Sequence, residues 1–241
     1  MKLSRRKFLI GSGVVGGGLL LGFSLRDTAP IPHTRPGSFQ PNAWLQITPQ
    51  GEVIFQLDKA EMGQGVMTSL SAIIGEELDY DPAKMIIEFA GVNSAFKNPQ
   101  MGVQITGGST AVMTGWDPLR EAGATARAML VGAAAQQWQI DAVQCKTDDG
   151  FVIHSDGQQR SSYGDLAVLA AQQKKPGNVE LKKPEMYRWV GKSLQRFDSA
   201  DKAQGKTQFR VDVVLPGMKV AVVVRCPQFG GKLKSFDKNS I

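Results

Sequence analysis

Cysteine and histidine are scarce in this chain. Two cysteines, Cys145 and Cys226, and two histidines, His33 and His154, occur in 241 residues. They stand far apart, so neither the thiolate clustering of an iron–sulfur site nor the paired spacing of a zinc site exists. Any metal has to arrive inside a cofactor. The residues leave two readings of the cysteines open, a disulfide in an oxidising compartment or two isolated buried thiols. Also missing are a Gly-Lys-Ser/Thr phosphate loop and the third glycine of a dinucleotide fingerprint, which would further need a parallel βαβ unit. There is no internal repeat and no low-complexity array. The net charge of +6 comes from scattered Lys and Arg residues, with no basic stripe, which reads as surface solvation and argues against nucleic-acid binding. With 42% hydrophobic and 21% charged residues the composition is that of an ordinary globular protein, which excludes disorder as the starting expectation.

What is present begins with an address. Met1 to Lys7 is basic and Phe8 to Leu25 is apolar and Gly-rich, the layout of an export signal and not of a folded element. Ser4-Arg5-Arg6-Lys7-Phe8-Leu9 resembles the twin-arginine consensus, which places the protein in the periplasm. The apolar run is short and Gly-rich beside the roughly 20 apolar residues of a membrane span. No clear small-x-small cleavage site precedes Pro30, so removal of the segment stays open. The spans read as a signal over 1–30, a Pro-rich linker over 31–42, a body over 43–175, a second linker over 176–187 and a new unit over 188–241.

Within the body, Trp44 to Thr48 and Glu52 to Leu57 read as a hairpin across Pro49-Gln50-Gly51. Val66, Leu70, Ile73, Ile74 and Leu78 recur at helical spacing, predicting an amphipathic helix that stops before Asp81-Pro82, and Met85 to Phe89 resembles a buried strand. Residues 91–115 predict a long loop of the kind that carries function. Trp116 to Trp138 predicts a helix with Pro118 in its first turn and a face of Leu119, Gly123, Ala126, Leu130 and Ala133. Val143 to Lys146 and Phe151 to His154 read as strands around Asp149-Gly150, and Ser162 with Asp165 as a capping box for a helix through Gln173. After the linker, Thr207 to Leu215 and Lys219 to Arg225 read as strands hinged at Pro216-Gly217, with Lys232 to Phe236 as another; these open edges suggest that Ile241 lies within a domain. The fold class is α+β, with mixed sheets and packed helices.

Two loops have the chemistry to hold a ligand. Gly63-Gln64-Gly65 runs into a helix and offers unobstructed backbone N–H groups and the positive end of the dipole, which favour an anion, and the Gln64 amide can donate and accept at once. Thr106-Gly107-Gly108-Ser109-Thr110 repeats that logic before the next helix. Each is equally a plain turn or an N-cap when taken alone. Together they can converge on one phosphate-bearing ligand.

Glu61-Met62-Gly63-Gln64-Gly65, followed by Thr68 and a helix ending Glu76-Glu77-Leu78, resembles the molybdopterin segment of the molybdenum hydroxylases. Gly107-Gly108-Ser109-Thr110, then Trp116-Asp117-Pro118-Leu119-Arg120 and Ala122 to Leu130, is similar to the second cofactor segment in their isoquinoline 1-oxidoreductase branch. Val190-Gly191-Lys192, Arg196, Asp198, Lys202, Gly205 and Phe209, with Pro216-Gly217-Met218 and Ala221 to Lys234, resemble the opening of the family's α/β hammerhead domain. The resemblance is to the N-terminal portion of the large subunit of the xanthine dehydrogenase and aldehyde oxidase family.

It implies molybdopterin as cofactor and allows its cytosine dinucleotide form. It further implies hydroxylation of aldehydes or N-heterocycles with oxygen from water, a separate small [2Fe–2S] subunit, and the remaining C-terminal portion of the large subunit. A cytochrome c is the acceptor it allows. Gly63, Gln64 and Gly65 would meet the pterin or its metal end, and Gly107, Gly108, Ser109 and Thr110 its phosphate or pyran side. The family's catalytic glutamate stands near the end of a longer chain and has no counterpart here, and Glu61 does not occupy that position, so no catalytic or metal-ligating residue is assigned. The competing reading is a truncated, non-catalytic exported remnant or binding module. A periplasmic binding protein with an anion pocket would need two balanced α/β lobes that the pattern does not supply.

Overall fold

The computed structural model describes residues 19–21 and 44–237. The twin-arginine motif at 4–9 and the Pro-rich linker at 31–42 lie outside the described residues. The chain divides into two units, one running to Ser199 and one from Ala200 onward.

In the first unit a four-stranded sheet has the order β1 (Leu19–Leu21), β2 (Leu45–Ile47), β3 (Val53–Leu57), β4 (Ile86–Phe89). The hairpin forms as expected, with Leu45 opposite Phe55 and Ile47 opposite Val53, and Gly51 at φ 86° makes its turn. Leu19–Leu21 was expected to stand apart from the folded body. Instead it pairs antiparallel with β2, Leu19 opposite Ile47, so the free edge of β2 gains a ladder partner.

β3 and β4 are parallel, Ile54 opposite Ile86 and Leu57 opposite Phe89. Helix α1 (Val66–Leu78) makes the crossover between them, as a parallel pair requires. The sequence shows no sign of this βαβ unit because β4 is an edge strand with Ile86 and Phe89 exposed, not a buried one.

Helix α1 buries the predicted stripe of Val66, Leu70, Ile73, Ile74 and Leu78. It packs on helix α2 (Ala111–Trp138) through the small-residue face. A Cβ added at Gly123 would stand 2.5 Å from the Ile74 carbonyl oxygen, so only glycine permits this approach. Helix α2 begins five residues before the expected start at Trp116. Its first turn lies outside the core, with Val112 and Met113 exposed, so no apolar period marks it, and Pro118 falls inside the helix at the loss of one backbone donor.

A second sheet is the meander β5 (Cys145–Asp148), β6 (Phe151–His154), β7 (Arg160–Ser162), turned at Asp149 and Gly150, both with positive φ. Helix α3 (Tyr163–Gln172) starts on the predicted capping box between Ser162 and Asp165. Both thiols are free.

The segment expected to be a linker over 176–187 is bonded into the first unit. Glu77 is fully buried and accepts from the Lys182 N–H at 3.0 Å and from Arg120 Nε at 2.8 Å. Glu76 accepts from the consecutive N–H groups of Arg188 at 3.0 Å, Trp189 at 2.8 Å and Val190 at 3.0 Å. Lys182 Nζ reaches Glu76 at 3.5 Å and also bonds Asp79. The acidic end of α1 therefore holds Lys182 and residues 188–190, which fall in the first compact unit.

The short helix α4 (Ser199–Ala203) spans the division, and in the second unit the three runs expected as strands form none among the described residues. A 3₁₀ turn at Arg210–Asp212 interrupts the first run. Val211, Val214, Val220 and Val224 are exposed, so β propensity there finds no ladder partner to satisfy it. The Pro216-Gly217 turn is present, closed by the Met218 N–H on the Leu215 carbonyl at 3.0 Å.

Candidate functional site

Both candidate loops stand at the carboxyl ends of the parallel pair β3 and β4, where the βαβ arrangement places the N-terminus of α1. A hydrogen bond joins them, from the Ala60 N–H to Thr106 Oγ at 2.8 Å. Between them lies a cavity of about 490 Å³, lined by the polar Asp58, Lys59, Glu61 and Thr106 and the apolar Phe89, Val92 and Ile105 among others. Lys59 is buried in an ion pair with Asp58. The cavity is lined by Glu61 and Thr106 at the start of the two segments singled out from sequence, whereas Gly63, Gln64, Gly65, Gly107, Gly108, Ser109 and Thr110 are not among its lining residues.

In the 61–65 loop the N–H groups do not await an anion. Glu61 already supplies one, accepting from Gly63 at 2.9 Å, Gly65 at 2.9 Å and Met67 at 3.1 Å. This side chain caps α1, since Gly65 at the N-cap has none to offer. The Gln64 amide is likewise turned inward, accepting from Met62 at 2.6 Å and donating to the Ala60 carbonyl at 2.8 Å. The expectation of a free amide and free N–H groups at 63–65 is corrected accordingly: the loop is a self-satisfied, pre-shaped wall. Its glycines still matter. Gly63 has φ 101° and open space where a Cβ would stand, so a flat ligand can lie against its backbone.

Burial pushes the Glu61 carboxyl up, but the N–H groups of Gly65, Met67 and Gly63 outweigh that effect and hold it below its ordinary 4.5. A carboxylate so stabilised is a weak base. Because its folded value is depressed, Glu61 stabilises the loop above the ordinary value, and that contribution is lost as pH falls through the lowered one. An NMR titration of the Glu61 carboxyl is expected to give a midpoint below 4.5, and a midpoint at or above 4.5 would contradict this account of the cap.

The 106–110 loop is the open one. Gly107, Gly108 and Ser109 donate their backbone N–H groups to no acceptor among the described residues. Gly108 at φ 60° and Ser109 at φ 55° turn the chain left-handed in succession, which gathers these donors just before α2. Thr110 differs from its neighbours. It is buried, donating to the Gly107 carbonyl at 2.9 Å and accepting from Asn98 Nδ2 at 2.9 Å, so it pins the turn instead of facing a ligand.

Sequence reasoning missed a second cavity of about 370 Å³ on the other side of the 61–65 loop, lined by Gln64, Thr68, Trp116, Trp189, Lys192 and Arg196 among others. Arg196 Nη1 donates to the Gly63 carbonyl at 2.6 Å. The Arg196-x-Asp198 pair was the available signal, since a paired arginine near glycines has backbone carbonyls to reach, but its motif pointed to the next domain.

A family model described as the molybdopterin cofactor-binding domain matches residues 5–224. The chain is 29% identical over 267 residues to the isoquinoline 1-oxidoreductase subunit beta of Brevundimonas diminuta, covering 95% of this chain and 34% of that protein. It is 30% identical over 248 residues to the membrane-bound aldehyde dehydrogenase (pyrroloquinoline-quinone) of Gluconacetobacter polyoxogenes, covering 98% of this chain and 31% of that one. The chain therefore spans about a third of the length of these relatives. Among solved structures, the reconstituted CO dehydrogenase from Oligotropha carboxidovorans aligns at a TM-score of 0.43 and 22% identity, over 57% of this chain and 16% of that one.

Proposed function

Since the chain belongs to the molybdopterin cofactor-binding domain family, we propose that it holds a molybdopterin cofactor in the cavity lined by residues 57–61 and 104–106, with the 107–109 turn beside it. It would serve there as the cofactor-binding part of a molybdenum hydroxylase acting on aldehydes or N-heterocycles. The observation that carries the reading is the run of three backbone N–H groups at Gly107, Gly108 and Ser109 without an acceptor among the described residues, directly following Thr106, which lines a cavity of about 490 Å³. The residues present fit such a group. Gly107 has nothing within 4 Å of an added Cβ, so anionic oxygens can approach its N–H, and Gly63 is equally open to a planar ring.

When bound, the cofactor supplies the redox chemistry that no side chain here provides. This chain's own residues bind and orient it. Gly107 to Ser109 would donate to its oxygens, the bridge from Ala60 to Thr106 sets the loop separation, and Phe89, Val92 and Ile105 would offer it apolar contact. Glu61 shapes the loop and takes no proton, and we assign no catalytic residue to this chain.

The first relative is named as a subunit, and we extend that to this protein. By that likeness electrons would leave through a small [2Fe–2S] subunit toward an acceptor such as a cytochrome c. The cytosine dinucleotide form of the cofactor is part of the proposal. The reading is tested by molybdenum and pterin content of the protein purified from a host that makes the cofactor. Near-stoichiometric values are expected, and a bound quinone without molybdenum, as the second relative's name would suggest, overturns it.

We also propose export by the twin-arginine route. Changing Arg5 and Arg6 together to Lys keeps the charge and removes the paired guanidinium groups. The double variant is expected to stay in the cytoplasm on fractionation, whereas unchanged export would point to the general secretory route.

A further inference from the structure

We propose that Arg196 is a positioning residue for the cofactor loop: aimed by Asp198, its guanidinium holds the Gly63 carbonyl and so sets the shape that residues 61–65 present to a ligand. The proposal rests on the reading above that this loop faces the cofactor.

Gly63 is the weak point of the loop. It has φ 101° and nothing within 4 Å of the position a Cβ would take, so no packing restrains it. A glycine in such a position samples many conformations unless its peptide groups are tied down. Both poles of the residue are tied. Its N–H donates to Glu61 Oε1 at 2.9 Å, and its carbonyl accepts from Arg196 Nη1 at 2.6 Å. These two side chains face each other, with Arg196 Nη2 at 3.5 Å from Glu61 Oε1.

The guanidinium is aimed from behind by Asp198, which accepts from Nε at 3.0 Å and from Nη2 at 2.8 Å. Between Arg196 and Asp198, the Phe197 N–H donates to Thr68 Oγ at 3.2 Å, seating the segment's backbone on the start of α1. A guanidinium can span Asp198, Gly63 and Glu61 at once because its donors lie in a fixed planar fork. The Arg196 side chain is 37% exposed, so solvent screens its charge and the fork geometry is its main contribution. A lysine would keep the charge and lose the fork.

The test uses the whole chain with Arg196→Ala, Arg196→Lys and Asp198→Asn, and three readouts: amide hydrogen exchange without cofactor, the thermal unfolding midpoint, and pterin retention in cofactor-loaded protein. Exchange at Gly63 and Gly65 is expected to quicken about tenfold in Arg196→Ala, the size of one lost charge-assisted hydrogen bond, and Lys should not restore it. Exchange at Ile73 and Ile74 in the core of α1, and the unfolding midpoint, should stay as in the parent. Pterin should leave the loaded variants faster, with Asp198→Asn between the parent and Arg196→Ala. Unchanged loop exchange in Arg196→Ala, full rescue by Lys, or a loss of protection spread through α1 each overturns the positioning role. Faster loop exchange with unchanged pterin retention upholds the effect of Arg196 on the loop and overturns the placing of the cofactor against it.

Discussion

Replacing Glu76 with alanine is expected to destabilise the protein by about 3–5 kcal/mol, the range for stranding groups around a buried charge. Glu76 is 1% exposed, and its carboxylate accepts from three consecutive backbone N–H groups, those of Arg188, Trp189 and Val190, at 2.8–3.0 Å. No neighbouring side chain can take over these donors, and each one stranded costs about 1 kcal/mol or more. Lys182, itself buried, would keep only Asp79 as its charged partner. The damage should reach the site, because Trp189 and Val190 line the second cavity beside Gln64 and Arg196. Urea unfolding of the variant is the measurement. Glu76→Gln should fall between the parent and alanine, since one oxygen acceptor survives without its charge. A loss below about 1 kcal/mol in Glu76→Ala would mean that residues 188–190 find other acceptors and that the segment is not held as described.

The same residues show why part of the molecule was legible in sequence and part was not. Val66, Leu70, Ile73, Ile74 and Leu78 announce α1 because burial on one face and the helical period are the same fact. The Ser162 and Asp165 capping box announces α3 because its bonds span three residues. Nothing local announces that Lys182 will be buried against Glu76 and Asp79. In the sequence it stands in a polar, Pro-containing stretch whose composition is that of a linker, and its partners lie more than a hundred residues away.

The reverse error occurs after Ala200. There β-branched runs were read as strands, but strand formation depends on a partner, and among the described residues none pairs with them. Glycine spacing marked a loop before α1 and another before α2, and the structure has a loop at each place. It did not reveal that Glu61 would occupy the donors of the first, because capping geometry depends on a side-chain rotamer that spacing does not specify.

The second large effect is expected at Gly107, where fold and ligand can be separated. A Cβ at this position meets nothing within 4 Å, and unlike Gly108 and Ser109 the residue does not have a positive φ, so valine fits the backbone without strain. Its carbonyl stays pinned by the Thr110 hydroxyl at 2.9 Å, a bond that valine does not touch. Gly107→Val should therefore change stability by no more than about 0.5 kcal/mol, the usual figure for a substitution that disturbs no packed or bonded group. Ligand binding should respond differently, since the isopropyl group would fill the space through which anionic oxygens reach the N–H groups of Gly107, Gly108 and Ser109. Losing two or three such bonds corresponds to a loss of at least about a hundredfold in affinity. Gly108→Val is the less informative change. Its φ of 60° disfavours a side chain, and the new Cβ would press on Met101 Cε at 3.3 Å, so stability and binding would fall together. Pterin content after gel filtration, measured beside the urea midpoint, decides the matter. Full pterin content in a normally folded Gly107→Val protein would show that the open donors of the 107–109 turn do not hold the cofactor, and attention would pass to the cavity between Trp189 and Arg196.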